Sequence, residues 1–406
     1  MLKDINWDTL DSLLQSSSKE ELIEYLNKHE LIIKDNKIFP KNENELSALI
    51  EYLDGQQHNR KISLNASYGS LLQANCRFFD KRLGQSTTLS GRQVVKHMTA
   101  KVNEIITSDY DFLGNSIVYG DTDSCYFTAY TTLKDDIDKG KIKWDKDTVV
   151  QLYDQIGDLV NESFPSFMEN AFHCPTTRGD VIKCGREIVA TDALFITKKR
   201  YAAMVYDKEG KRKDKDGKPG EIKAMGLDLK RADTPEYMQQ FLLQILEKVL
   251  TNSEESVILD MIKEFRLNFK ERPGWEKGTP KRVNNIGKFM KQEEDKGKAN
   301  MPGHVRASIN WNILRKLNND NFSIQITDGA KVIVCKLRSN PMGFTSIAYP
   351  IDELRLPEWF KELPFDHDAM EDTIIDAKID NLIGILKYDI DSTKKSSIFQ
   401  SLFDFG

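Results

Sequence analysis

A chain of 406 residues, 39% hydrophobic and 30% charged, is long enough for two or three domains that each bury a core, and it reads as globular. No apolar run approaches bilayer length and no charged-then-apolar signal segment opens the chain, so no membrane span is expected. The net charge of −5 hides a segregation that keeps a polyanionic partner open: 59–101 holds eight bases against one acid, whereas 350–391 holds twelve acids against four bases.

Taken in chain order, 1–57 reads as short polar helices, with Ser17 and Ser18 ahead of Glu20 and Glu21 as a capping-box start. The word LIEYL occurs at 22–26 and again at 49–53, but two copies do not make a solenoid. Helices are predicted across 59–75 and 86–107, the second with Val94, Val95, Met98, Val102, Ile105 and Ile106 at core spacing. A hairpin is predicted at about 115–130 and a helix at 147–172. Strands follow at 185–207, ending in the Lys/Asp/Gly-rich KEGKRKDKDGKPGE, read as a mobile tip. Beyond Gly226 the text turns helical (235–250 and 254–268), with a domain boundary placed near 226–232. A basic stretch at 272–303, an α/β segment at 304–349, an acidic helical region and a flexible tail, KKSSIFQSLFDFG, complete the chain. The five cysteines form no C-x-x-C pair and the six histidines are isolated, which argues for reduced thiols and against zinc.

Two stretches carry chemistry. In YGDTDS, 119–124, two acids stand at the tip of an otherwise apolar hairpin, a costly placement that calls for either a cation or an ordinary polar turn. In the helix predicted at 59–75, Lys61, Asn65 and Tyr68 fall at i, i+4 and i+7 on one face. A cation, an amide and a phenol on one stripe suit a polyanionic, partly aromatic ligand such as a nucleoside triphosphate.

K-x-x-x-N-x-x-Y-G, then YGDTDS about fifty residues later, then Lys198-Lys199-Arg200-Tyr201, resembles the ordered motif set of family B DNA polymerases, in particular the replicative polymerases of T-even-like phages. Phe78-Phe79-Asp80-Lys81-Arg82, MGLD at 225–228, Thr234-Pro235, His304-Val305-Arg306 and the closing SLFDFG fall in the same order, so the similarity covers roughly 58–406. The resemblance implies an α+β fold: an antiparallel palm sheet with helices, partial helical fingers and a mostly helical thumb. The corresponding domains are an N-terminal extension or fingers tip (1–57), a second fingers helix (58–75), a palm (76–228), a thumb (229–390) and a clamp-binding tail (391–406). It implies nucleotidyl transfer through two Mg2+ ions, with Asp123 the strict ligand and Asp121 the less strict one, set to position the primer end or its basic neighbour. Lys61 and Asn65 would face the incoming triphosphate, Tyr68 and Gly69 the nascent pair, and Thr122 the nucleotide. Lys199 would reach the minor groove of the primer-terminal pair, supported near the backbone by Lys198, Arg200 and Tyr201. Ile398, Leu402, Phe403 and Phe405 look like sliding-clamp-binding anchors. The implied setting is the cytoplasm of a bacterial host.

One departure shapes the expectation. The family's other metal-binding Asp lies in D-x-x-S-L-Y-P, and this sequence holds only a decoy, FTSIAYP at 344–350, with Gly343 where the Asp belongs. The first fingers helix and the exonuclease acids have no counterpart either. The chain is therefore expected to be the C-terminal subunit of a split polymerase whose N-terminal partner supplies those parts. Primer-template DNA, dNTP and a sliding clamp are its other partners. A non-catalytic DNA-binding and clamp-tethering protein, or a piece of a longer polymerase, are the competing expectations.

Overall fold

A computed structural model describes residues 19–34, 37–215, 217–296 and 300–394. The chain divides into two compact units, 1–95 and 96–406. The architecture is α+β, with small antiparallel sheets among many helices.

The first unit opens with α1 (Lys19–Lys28), whose acidic first turn and terminal Lys28 match the helix dipole. A hairpin absent from the sequence reading follows, β1 (Leu31–Lys34) on β2 (Lys37–Pro40), and buried Leu31 packs on Tyr25 and Leu26. The 30-residue α2 (Glu43–Leu72) then runs unbroken through the boundary expected at 57/58. No proline interrupts that stretch and a lone Gly55 is tolerated, so the second LIEYL and the K-x-x-x-N face are parts of one helix. Its apolar side chains scatter round the axis and Leu49, Ile50, Tyr52, Leu53, Ile62 and Leu64 are all exposed. At its end Asp80 accepts from the Arg82 and Leu83 amides, which starts α3 (Lys81–Thr107) five residues before the helix expected at 86.

Within the second unit, the rest of α3 buries Ala100, Val102 and His97. Asn103 donates to the Asp109 carbonyl (2.8 Å) and accepts from the Ser116 amide (3.2 Å), closing the loop that leads into the hairpin β3 (Ile117–Asp121) and β4 (Ser124–Phe127). After α4 (Tyr130–Asp138), Asp145 caps α5 (Lys146–Phe172) by accepting from the Thr148 amide. A four-stranded antiparallel sheet follows. Its centre is β6 (Arg200–Lys208), paired with β5 (Ile188–Thr197) on one side and with β7 (Lys211–Arg212) and β8 (Glu221–Met225) on the other.

The tip read as mobile is tied down at its base. Lys211 and Arg212 pair as a short strand, and Asp214 gathers Arg212 (2.8 Å) and Lys146 (2.5 Å), because the alternating charges find opposite-sign partners on α5.

One apolar core spans the boundary placed near 226–232. It joins Ala202, Met204 and Ala224 of the sheet to α6 (Glu236–Leu250), α7 (Glu255–Glu271) and residues 374–383. A second core forms around the three-stranded sheet β9 (Thr279–Arg282), β10 (Lys331–Lys336) and β11 (Ser346–Pro350), with α8 (Ile286–Lys296) and α9 (Gly303–Leu317). The decoy FTSIAYP supplies β11 at the edge of that sheet, outside the acidic hairpin. No helix among the described residues is long and apolar enough to cross a membrane.

Candidate active site

Strand register brings Asp121 opposite Ser124, leaving Thr122 and Asp123 as a two-residue turn. Such turns need positive φ, and Thr122 adopts φ +48. The Thr122 and Ser124 hydroxyls donate to the Asp121 carboxylate and carbonyl, both at 3.1 Å, and fix the turn. Lys199 then spans Asp121, its ammonium donating to Oδ1 at 2.8 Å and Oδ2 at 2.7 Å. The Lys199 ammonium holds the Asp121 carboxyl below the usual carboxylate range, and Asp121 in turn raises the lysine. Asp123, the second residue of the turn, donates its amide to the Asp121 carbonyl at 2.5 Å, and its exposed side chain makes no hydrogen bond or salt bridge among the described residues.

The two acids therefore differ in availability. Both oxygens of Asp121 accept from Lys199, whereas the Asp123 side chain is exposed. Among the described residues no group of three His, Cys, Asp or Glu side chains could hold a metal ion. Mg2+ takes hard oxygen ligands, retains waters and accepts substrate phosphate, so Asp123 fits as one ligand of a shell completed from elsewhere. Asp121, expected as the less strict ligand or as the residue that positions the primer end or its basic neighbour, here accepts from Lys199 at both oxygens.

Beneath the turn lies an aromatic cluster of Tyr119, Tyr126, Phe195 and Tyr201, with ring centroids 5.2–6.0 Å apart and a 2.7 Å bond between the Tyr126 and Tyr201 hydroxyls. Burial pushes the Tyr126 and Tyr201 hydroxyls up, so both stay protonated as mutual partners. Tyr201 is 8% exposed and supports the turn from below, because its ring completes the aromatic cluster. Arg200 turns away and donates to the Asn381 carbonyl at 2.9 Å. Of the four residues of KKRY, Lys198 and Lys199 are exposed at the end of the hairpin.

The residues expected at the triphosphate belong to the first unit. Lys61, Asn65, Tyr68 and Gly69 are all exposed on α2. Lys61 and Asn65 line one shallow hollow with Tyr52, Leu53, Arg60 and Leu64. Tyr68 instead hydrogen-bonds Thr88 across to α3 at 2.6 Å. Ile398, Leu402, Phe403 and Phe405 lie outside the described residues. The sequence reading missed Tyr119, whose hydroxyl accepts from the Lys199 amide at 2.8 Å. It stands in the quoted motif, but the bond spans 80 residues and has no local signature.

The model of DNA polymerase family B matches residues 33–152 and 171–327. The DNA-directed DNA polymerase of Enterobacteria phage T4 is 29% identical over 342 residues, 78% of this chain and 36% of that protein. The corresponding polymerase of Escherichia phage RB69 is 26% identical over 366 residues, 86% of this chain and 38% of that protein. A DNA polymerase of Archaeoglobus fulgidus is 23% identical over 238 residues, 59% of this chain and 24% of that protein. The chain belongs to DNA polymerase family B. It spans less than two-fifths of the length of the two phage relatives it matches.

Proposed function

We propose that this chain carries the primer-end half of a DNA-templated nucleotidyl-transfer site and acts with a second polymerase segment that brings the other metal-binding carboxylate. The observation that carries the reading is the acidic turn, where Asp121 is neutralised by Lys199 and Asp123 is left exposed as a single hard ligand. Bound Mg2+ would activate the primer hydroxyl and offset charge on the triphosphate. Asp123 holds one side of that site. Lys199, anchored on Asp121, presents its aliphatic stem and part of its ammonium to the minor groove of the primer terminus, where acceptors are alike for every base pair. Lys198 adds charge toward the backbone, Lys61 and Asn65 meet the triphosphate, Tyr68 and Gly69 line the nascent pair, and Thr122 faces the nucleotide. In this reading 1–57 caps the fingers, 58–75 is their second helix, 76–228 is palm, 229–390 is thumb, and 391–406 is a tail that docks on a sliding clamp through Ile398, Leu402, Phe403 and Phe405. The setting is the bacterial host cytoplasm.

Support for a complementary segment comes from what the hairpin leaves open. Among the described residues β3 pairs only with β4, and a two-stranded sheet is marginal on its own. Val118 on β3 and Tyr110, Phe112 and Leu113 in the preceding loop are exposed. A strand carrying D-x-x-S-L-Y-P from a separate N-terminal polymerase chain would pair that edge, cover those side chains and set its Asp near Asp123. An interface that completes a core in this way buries on the order of 2,000–5,000 Å².

The test is primer extension by the chain combined with an N-terminal polymerase half. Asp123→Ala should reduce extension by about 10³-fold or more, the several kcal/mol of charge stabilisation lost with a metal ligand, while co-purification is unchanged. Extension that survives Asp123→Ala refutes the assignment. The lack of a three-ligand cluster among the described residues favours one second reading, a non-catalytic DNA-binding and clamp-tethering protein. That reading requires duplex binding with no extension in any combination of halves.

A further inference from the structure

We propose that Tyr119 and Gly226 are positioning residues that lock the Lys199 turn and so set its ammonium over the acidic turn. The inference rests on the primer-end role given above to Lys199.

Two-residue hairpin connections that need positive φ favour Asn-Gly, Asp-Gly or Gly-Gly, because a Cβ is disfavoured there. Here β5 and β6 are joined between Thr197 and Arg200 by Lys198-Lys199, and Lys199 sits at φ +64. A lysine at Lys199 does not favour that conformation, so neighbours must hold it. Two neighbours do so from opposite sides. From β3, the rigidly packed Tyr119 hydroxyl accepts the Lys199 amide at 2.8 Å. From the end of β8, where Met225 pairs with Tyr201, Gly226 passes directly under the turn at φ +64. A Cβ on Gly226 would stand 2.2 Å from the Lys199 carbonyl oxygen, a backbone atom that cannot move aside.

The strand period explains why the arrangement works. Tyr119 and Asp121 are two apart on β3 and project from the same face. That one face therefore grips Lys199 twice, by its backbone at Tyr119 and by its ammonium at Asp121. With the backbone point released, the long lysine side chain regains its freedom and Asp121 loses a fixed partner. The assembly also relies on Gly226, which lies in the MGLD word, 27 residues beyond Lys199 in the chain.

The full chain, labelled at lysine, gives a readout independent of catalysis. In Tyr119→Phe the Lys199 amide should exchange with solvent at least tenfold faster, while amides in the interior of β6 and the unfolding midpoint stay unchanged. Gly226→Ala should move the same amide signal. In the assembled polymerase, Tyr119→Phe should lower kcat for primer extension in the direction of Lys199→Met, with KM for the incoming nucleotide unchanged. An unaltered Lys199 exchange rate in Tyr119→Phe overturns the positioning role alone. Faster exchange with wild-type kcat, where Lys199→Met is impaired, overturns it as well. An assembled polymerase in which Lys199→Met extends like wild type overturns the reading of Lys199, and this inference falls with it.

Discussion

Arg266 offers the clearest quantitative test of what holds the C-terminal part together. It lies on α7 with no exposed surface, and its guanidinium is fully engaged. Nη1 donates to Glu371 at 2.8 Å, Nη2 donates to Asp376, and Nε donates to the Thr393 hydroxyl at 3.0 Å. Glu371 and Asp376 are themselves largely covered, with side chains 15% and 19% exposed. Replacing Arg266 by Met keeps most of the volume but strands two carboxylates, and removing one partner of a buried ion pair costs about 3–5 kcal/mol. Lys394 remains 2.9 Å from Asp376 and offsets part of that loss, so the expected cost is about 3 kcal/mol. Urea denaturation should show the midpoint falling with an unchanged slope. Adding Glu371→Gln and Asp376→Asn to Arg266→Met should restore at least half of the loss, because the cost lies in the orphaned charges. A single-variant loss under about 1 kcal/mol, or no recovery in the triple variant, refutes the argument. The clamp also fixes Thr393, immediately before the segment proposed to reach a sliding clamp.

Lys277 is 1% exposed, donates to the Lys270 carbonyl and to His367 Nδ1, and is pushed by burial down to about 8. A depressed lysine means the unfolded chain binds the proton more tightly. Stability should therefore rise between about pH 8 and the ordinary lysine value, by up to about 3 kcal/mol for a displacement of that size. Denaturation of wild type and Lys277→Met across that window measures the effect, and a flat difference between them refutes it. Asn103→Ala removes both bonds that close the loop into β3 and leaves the buried Ser116 amide unpaired. It should cost about 1–3 kcal/mol in urea denaturation, and a neutral result would mean water replaces the side chain.

Much of the local structure was legible because it is encoded locally. The acidic hairpin was readable from β-branched and aromatic residues flanking a short acidic tip, and it forms at Ile117–Asp121 and Ser124–Phe127. The helix at Lys146–Phe172 begins where Asp145 caps it, and Glu236–Leu250 follows Pro235 as its text suggests. The errors have physical causes too. Between the words LIIK and KIFP that form β1 and β2 the sequence holds no Gly, so the usual turn signal was absent. The boundary expected at 57/58 follows the start of the family resemblance, and α2 runs through it because a lone Gly55 does not end a helix. Core sharing across 226–232 is a long-range packing outcome that no local composition reveals.

The candidate site shows the same division at the scale of a single turn. The sequence supplied two acids in one motif and, through the family resemblance, an expected difference between them, but not the contacts that would set them apart. Their fates are set by Lys199, 78 residues beyond Asp121, which grips one acid and leaves the other exposed one residue past the apex. Two chemically equal carboxylates thus acquire different roles through one salt bridge. In the function proposed above, Asp121 would be part of the scaffold that fixes a cation at the primer end, and Asp123 would keep its oxygens for an incoming ligand. Asp121→Asn should therefore loosen Lys199 before it weakens metal binding, whereas Asp123→Asn should weaken metal binding and leave Lys199 in place. Mg2+ titration of extension by the assembled polymerase separates the two. A large rise in the Mg2+ requirement for Asp121→Asn and none for Asp123→Asn would reverse the assignment.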